Sequence, residues 1–140
     1  MILISSSENE TFEAGVALGS MLRGGQIVTL SGELGAGKTV FTKGIARGMG
    51  VTDEVVSPTF TLMNEYDGAT LKLYHYDAYR LNNSDEAVEA GLTEYFGDKS
   101  GVCVIEWYEN ISAALMRYKK IRVKITYENE EKRKIDIVDE

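Results

Sequence analysis

Ser31-Gly32-Glu33-Leu34-Gly35-Ala36-Gly37-Lys38-Thr39 fits the pattern G-x-x-x-x-G-K-[ST] at every fixed position. The apolar run Gln26-Ile27-Val28-Thr29-Leu30 before it predicts a buried strand, and residues 40–47 after it predict a helix. Strand, glycine loop and helix together are the context in which this spacing holds phosphate. Glycines let successive backbone N–H groups turn toward an anion. A helix beginning near Lys38 adds unpaired N–H groups and the positive end of its dipole. Lys38 is then placed to reach β- and γ-phosphate oxygens as a point charge, and the Thr39 hydroxyl to ligate Mg²⁺. The expected nucleotide-binding stretch is Glu33, Leu34, Gly35, Ala36, Gly37, Lys38 and Thr39.

The surrounding 140 residues suit a single domain over 1–140, with 44% hydrophobic and 26% charged residues. The net charge of −7 argues against a chain that coats nucleic acid, whose surface should be basic. The lone Cys103 lies in an apolar run and reads as a small core residue in a reducing compartment. Met1-Ile2-Leu3-Ile4 lacks the basic start and the length of a signal peptide. No apolar run approaches the roughly 20 residues of a membrane span, so a cytoplasmic protein without a membrane partner is expected.

Upstream of the loop, residues 2–4 predict a short edge strand. Ser7-Glu8-Asn9-Glu10 matches a capping box, with Ser7 as N-cap and Glu10 reaching back. The helix it opens should run to about Met21, with Phe12, Ala14, Val16, Ala17, Leu18, Met21 and Leu22 forming a broad apolar side. Downstream, Ser57-Pro58-Thr59-Phe60 carries the only proline, with hydroxyls on both sides of it. It reads either as a simple turn or as a switch that senses γ-phosphate or Mg²⁺.

Residues 61–66, Asp67-Gly68 and residues 70–77 predict a β-hairpin turning on Asp-Gly. Because hairpin strands are antiparallel, the sheet must be mixed. Leu71, Leu73, His75 and Asp77 share one face of the second strand. His75 is either a structural histidine bonded to Asp77 or part of a site. Asp77 could orient water or the outer shell of a metal. Val102-Cys103-Val104-Ile105-Glu106 predicts a buried strand ending in a carboxylate, the pattern of the second nucleotide motif, whose acid serves Mg²⁺. The competing reading is a strand-end Glu106 in solvent. Trp107, the only tryptophan, fits either the core or a place near a base or partner. Asn110 or Ser112 could cap a helix reaching Tyr118, and residues 120–126 and 134–138 predict a second hairpin.

The fold class expected is α/β: a P-loop NTPase-like three-layer fold around a mixed parallel and antiparallel sheet. No N-K-x-D motif marks guanine, so ATP is favoured. A small-molecule kinase is the alternative, but it would want an arginine-rich lid. After Arg80, only Arg117, Arg122 and Arg133 remain, scattered among predicted helix and strands.

The ordered set Leu34-Gly35-Ala36-Gly37-Lys38-Thr39, Ser57-Pro58-Thr59-Phe60, His75-x-Asp77-x-Tyr79-Arg80 and Ile105-Glu106-Trp107 resembles the TsaE (YjeE) family, bacterial P-loop ATPases of tRNA threonylcarbamoyladenosine synthesis. The likeness spans about Glu10 to Trp107. It implies an ATPase that binds the TsaB–TsaD heterodimer and resets it between rounds of tRNA modification, meeting tRNA only indirectly. It also implies that Lys38, Asp77 and Glu106 are catalytic, that Thr39 and Glu106 serve Mg²⁺, and that Ser57 to Phe60 form the switch. Trp107, Thr11 and Arg133 match positions near the nucleotide. Two departures are Tyr108, where the family often has Pro, and Glu33, where Asp is common.

Overall fold

The computed structural model describes residues 1–33 and 35–140. Seven strands form one sheet in the order β1-β7-β6-β2-β5-β4-β3. They are β1 (Ile2–Ser5), β2 (Ile27–Gly32), β3 (Met63–Asp67), β4 (Lys72–Asp77), β5 (Gly101–Glu106), β6 (Ile121–Tyr127) and β7 (Arg133–Asp139). The helices are α1 (Glu8–Met21), α2 (Lys38–Gly48), α3 (Ser84–Glu89) and α4 (Ser112–Leu115), with 3-10 turns at Leu92–Tyr95 and Tyr108–Ile111. β2 runs parallel to both β5 and β6, and β4 runs parallel to β5. The β3–β4, β6–β7 and β1–β7 pairs are antiparallel. The sheet is therefore mixed, as the hairpin reading requires.

Strand alternation splits the core. Val28, Leu30, Leu73, Val102 and Val104 face α1 and α2, joined by Leu18, Phe41 and Ile45. Their neighbours Ile27, Tyr74, Tyr76, Cys103 and Ile105 face the other way, against Ala87, Leu92, Phe96, Ile111 and Leu115. Helices on both faces of the sheet make the three layers. Among the described residues, no helix is long and apolar enough to cross a membrane.

The α1–α2 contact departs from the sequence reading. Ser7 does cap α1 by accepting the Glu10 N–H at 3.1 Å, but the Glu10 carboxylate reaches the N–H of Ser6, one residue before the cap. The face α1 buries is Thr11, Gly15, Leu18 and Gly19, while Ala17 and Met21 are exposed. A Cβ on Gly15 would stand 2.3 Å from the Phe41 carbonyl oxygen, and one on Gly19 2.2 Å from that of Ile45. Reciprocally, one on Gly44 would meet the Phe12 oxygen at 2.2 Å, and one on Gly48 that of Val16 at 2.2 Å. The two helices touch backbone to backbone through paired Gly-x-x-x-Gly steps, so apolar side chains are displaced from the seam.

The first hairpin also turns differently. Asp67 still pairs with Lys72, so the reversal uses the four residues from Gly68 to Leu71, closed by the Gly68 N–H on the Leu71 carbonyl at 2.9 Å. The Ala69 N–H bonds the Met49 carbonyl, which ties the loop to the end of α2. β3 starts late because the backbone turns at 59–62: the Leu62 N–H returns to the Pro58 carbonyl at 2.8 Å, and Leu62 has φ 68°. Beyond β5, a 3-10 turn and the single turn α4 replace the helix expected up to Tyr118, with Ile111 rather than Asn110 or Ser112 at its N-cap.

Candidate functional site

The C-terminal ends of β2, β4 and β5 lie along one edge of the sheet, because the three run parallel side by side. Ligands of open α/β sheets bind outside such strand ends. β2 delivers the glycine loop there, β5 delivers Glu106 and Trp107, and β4 delivers His75 and Asp77.

The loop's local structure follows from its glycines. Gly37, at φ 107° and ψ 16°, occupies left-handed backbone immediately before α2, and Gly35 has φ 81°. A side chain at either position would be strained. α1 and α3 open with side-chain caps from Ser7 and Asn83, whereas α2 opens on Gly37 without one. Its first N–H groups are thus left to a ligand or solvent. Ala36 is buried beneath the loop, and Thr39 is exposed. Leu34 lies outside the described residues.

Lys38 Nζ stands 5.2 Å from the centroid of the Trp107 ring. Trp107 has left-handed backbone at φ 59°, stands half out of the core, and meets Tyr79 edge-on at 4.9 Å. That places Trp107 at the loop rather than in the interior. Glu106 pairs with Asp77 in the β4–β5 register, and its carboxylate Oε2 is 2.8 Å from His75 Nε2. The sequence offered Asp77 as the partner of His75, but the bond goes to the neighbouring strand. Asp77 Oδ1 instead accepts the Tyr79 N–H at 3.0 Å.

The Ser57–Phe60 segment reaches the same edge. The Asp77 N–H donates to the Leu62 carbonyl at 2.9 Å, and the Arg80 guanidinium lies over the exposed Phe60 ring at 5.7 Å. The Ser57 and Thr59 hydroxyls bond each other at 2.8 Å, across buried Pro58.

On the other side of the loop, a cleft of about 270 Å³ is lined by Thr11, Gly35, Gly37, Val40 and Arg133, with Ser6 to Glu8 and Glu130 to Glu131 at its rim. Arg133 is held there by its guanidinium, which donates to the Gly35 carbonyl at 3.4 Å and to that of Asn129 at 2.9 Å while covering the Tyr127 ring. Thr11 is buried with its hydroxyl 2.6 Å from that of Ser5, and its methyl would lie 3.4 Å from a Cβ placed on Gly37. The sequence reading missed Ser5, and it offered Asp77 rather than Glu106 as the partner of His75. Nothing in either residue's local pattern signals these contacts, because each partner comes from another element.

The donor set suits a nucleotide with Mg²⁺. Thr39 and Glu106 offer hard oxygen ligands. Among the described residues, no three of His, Cys, Asp and Glu converge to hold a metal. Mg²⁺ needs no such cage: it keeps several waters and takes one or two protein ligands plus phosphate oxygens.

Comparison with known proteins gives a consistent result. The family described as threonylcarbamoyl adenosine biosynthesis protein TsaE matches residues 5–135. The tRNA threonylcarbamoyladenosine biosynthesis protein TsaE of Treponema pallidum is 44% identical over 119 residues, 84% of this chain and 86% of that protein. The protein of the same name from Bacillus subtilis is 45% identical over 111 residues, 79% of this chain and 68% of that one. The crystal structure of YdiB from Bacillus subtilis superposes with a TM-score of 0.83 at 32% identity, covering 99% of this chain and 84% of that chain.

Proposed function

This chain belongs to the TsaE family, and from that premise we propose that it is the Mg²⁺-dependent ATPase subunit of tRNA threonylcarbamoyladenosine synthesis, acting on the TsaB–TsaD heterodimer. The observation that carries the reading is the convergence of Lys38, Trp107, Glu106 and Asp77 at the edge where the glycine loop opens.

In this reading the loop N–H groups and Lys38 bind the phosphates, neutralising charge that builds on the γ-phosphoryl oxygens. Thr39 and Glu106 would hold Mg²⁺, which when bound would supply charge stabilisation to the transferring phosphoryl group. Asp77, opposite Glu106, is the catalytic carboxylate that orients water or the outer shell of the metal. Trp107 and Arg133 flank the nucleotide from opposite sides of the loop, and Thr11 supplies an apolar wall. Ser57 to Phe60 act as a switch, reporting the nucleotide state through the Leu62–Asp77 backbone bond and the Phe60–Arg80 contact. The negative net charge agrees with contact to tRNA only through the partner proteins.

The test is phosphate release from γ-labelled ATP, with Mg²⁺, in the presence and absence of TsaB–TsaD. Release to water that rises with the partner supports the proposal. Label appearing on a small molecule would make the chain a kinase instead. Nucleotide-dependent partner binding without any phosphate release would make it a nucleotide-gated binding module.

A further inference from the structure

We infer that His75 is a positioning residue for Glu106: its imidazole pins one carboxylate oxygen and leaves the other free for Mg²⁺ or the water around it. The inference rests on the proposed nucleotide reading of the Lys38 loop and assigns to that site a residue outside its ligand set.

His75 is 3% exposed and the Glu106 side chain 12%. A carboxylate so enclosed needs a donor. The donor present is His75 Nε2, 2.8 Å from Oε2, a separation in the range of a charge-assisted bond. A carboxylate that serves a metal only accepts, so in this role the bond takes the Nε2–H tautomer of His75. His75 Nδ1 is buried and has no partner among the described residues. The imidazole's one polar contact is therefore Glu106. A histidine serving only to fill the core would not need to present a donor at this point.

The arrangement depends on strand register. His75 lies opposite Val104, and Glu106 opposite Asp77, so the bond runs diagonally from β4 to β5. Both strands are central to the sheet, so the anchor is fixed by two hydrogen-bonded ladders rather than by a loop. Glu106 sits where β5 ends and the strained Trp107 backbone begins. Its long side chain would otherwise sample several rotamers, and a metal ligand must be held within about 0.5 Å of its working position. Partners that orient a ligand typically change metal affinity or activity by about 10–100-fold when removed.

Three substitutions separate this role from plain packing. In His75→Gln the side-chain amide nitrogen reaches the place of Nε2. In His75→Asn it reaches only the place of Nδ1. His75→Phe keeps ring volume without a donor. Calorimetric titration of each full-length variant with ADP, first in EDTA and then in Mg²⁺, reads the metal-dependent gain in affinity apart from nucleotide binding itself.

Wild type and His75→Gln should show the full gain. His75→Asn and His75→Phe should lose about tenfold of it, with their affinities in EDTA unchanged. A wild-type gain retained by His75→Phe would overturn the inference. So would a His75→Gln no better than His75→Phe, or a loss of equal size in EDTA, which would make the role structural. A wild type without any metal-dependent gain would overturn the Mg²⁺ reading of the site itself, and it is recognisable because it needs no variant.

Discussion

The ammonium of Lys38 lies 5.2 Å from the centre of the Trp107 ring, although one residue opens α2 and the other follows β5. A cation over an aromatic ring at a partly exposed site contributes about 0.5–1 kcal/mol. The Tyr79 edge contact adds about 0.5–1.5 kcal/mol. Against these stands the left-handed backbone of Trp107, which costs about 1–3 kcal/mol for a non-glycine residue. The terms roughly cancel, so the contacts alone give little reason for the conformation. Its consequence is to aim the indole at the lysine that closes the glycine loop.

Lys38→Ala should therefore cost little stability, less than about 1 kcal/mol, while lowering ATP hydrolysis by about 100-fold or more through loss of charge stabilisation. Thermal unfolding and phosphate release measured on the same preparation separate the two effects. Turnover and ATP affinity equal to wild type would sink the phosphate-loop reading.

The glycine seam between α1 and α2 makes an opposite kind of expectation. In an open helix, Gly→Ala stabilises by about 0.5–1 kcal/mol. At Gly15 and Gly48 the added carbon would sit 2.3 and 2.2 Å from carbonyl oxygens of the facing helix, and overpacking of this kind costs about 1–3 kcal/mol. The clash wins, so Gly15→Ala and Gly48→Ala should each unfold at lower denaturant. Because α2 carries Lys38 and Thr39 at its start, nucleotide affinity should fall as well. Midpoints at or above wild type in chemical denaturation would show that the helices are not in backbone contact.

Burial pushes the Cys103 thiol up from 9.0 to about 12 and raises the Tyr76 hydroxyl as well. The folded state keeps both protonated where the unfolded chain begins to lose protons. Above pH 9 the unfolded state therefore binds fewer protons, and stability must fall as pH rises toward 12, by at most about 1.4 kcal/mol per pH unit for each group. Below pH 9 this contribution is fully present and flat. Denaturation midpoints measured from pH 8 to 10.5 should decline at the alkaline end, less steeply in Cys103→Ala. A slope unaffected by the substitution would show that Cys103 does not remain protonated on folding.

Much of this arrangement is legible in sequence because it is local. The glycine loop, the flanking strand and helix, the Ser7 cap and the alternation of residues 120–126 are all written within a few residues of where they act. The misreadings concern partners brought in from other elements. The apolar stripe assigned to α1 keeps Leu18 and Leu22 in the core but loses Ala17 and Met21, because Gly15 and Gly19 meet Phe41 and Ile45 backbone, and only the presence of α2 reveals it. His75 bonds Glu106 rather than Asp77 because β5 lies beside β4, a pairing that no spacing within residues 75–77 encodes. Arg133 reaches Gly35 for the same reason: β7 returns toward the start of the chain.

Glu106 joins the two kinds of information, and its removal should show both. Glu106→Ala deletes a carboxylate oxygen proposed for Mg²⁺, so Mg²⁺-dependent turnover should fall further than nucleotide binding measured without metal. It also strips His75 of its one polar partner, leaving both imidazole nitrogens buried and unpaired. An orphaned buried polar group costs about 1–3 kcal/mol. The variant should consequently unfold more easily than wild type. Glu106→Gln keeps an acceptor oxygen for Nε2 while weakening the metal ligand, so it should recover most of the stability and little of the turnover. Equal losses of metal-free binding and metal-dependent turnover in Glu106→Ala would remove Glu106 from the metal site. Stability unchanged in that variant would show that the bond to His75 contributes nothing to the fold.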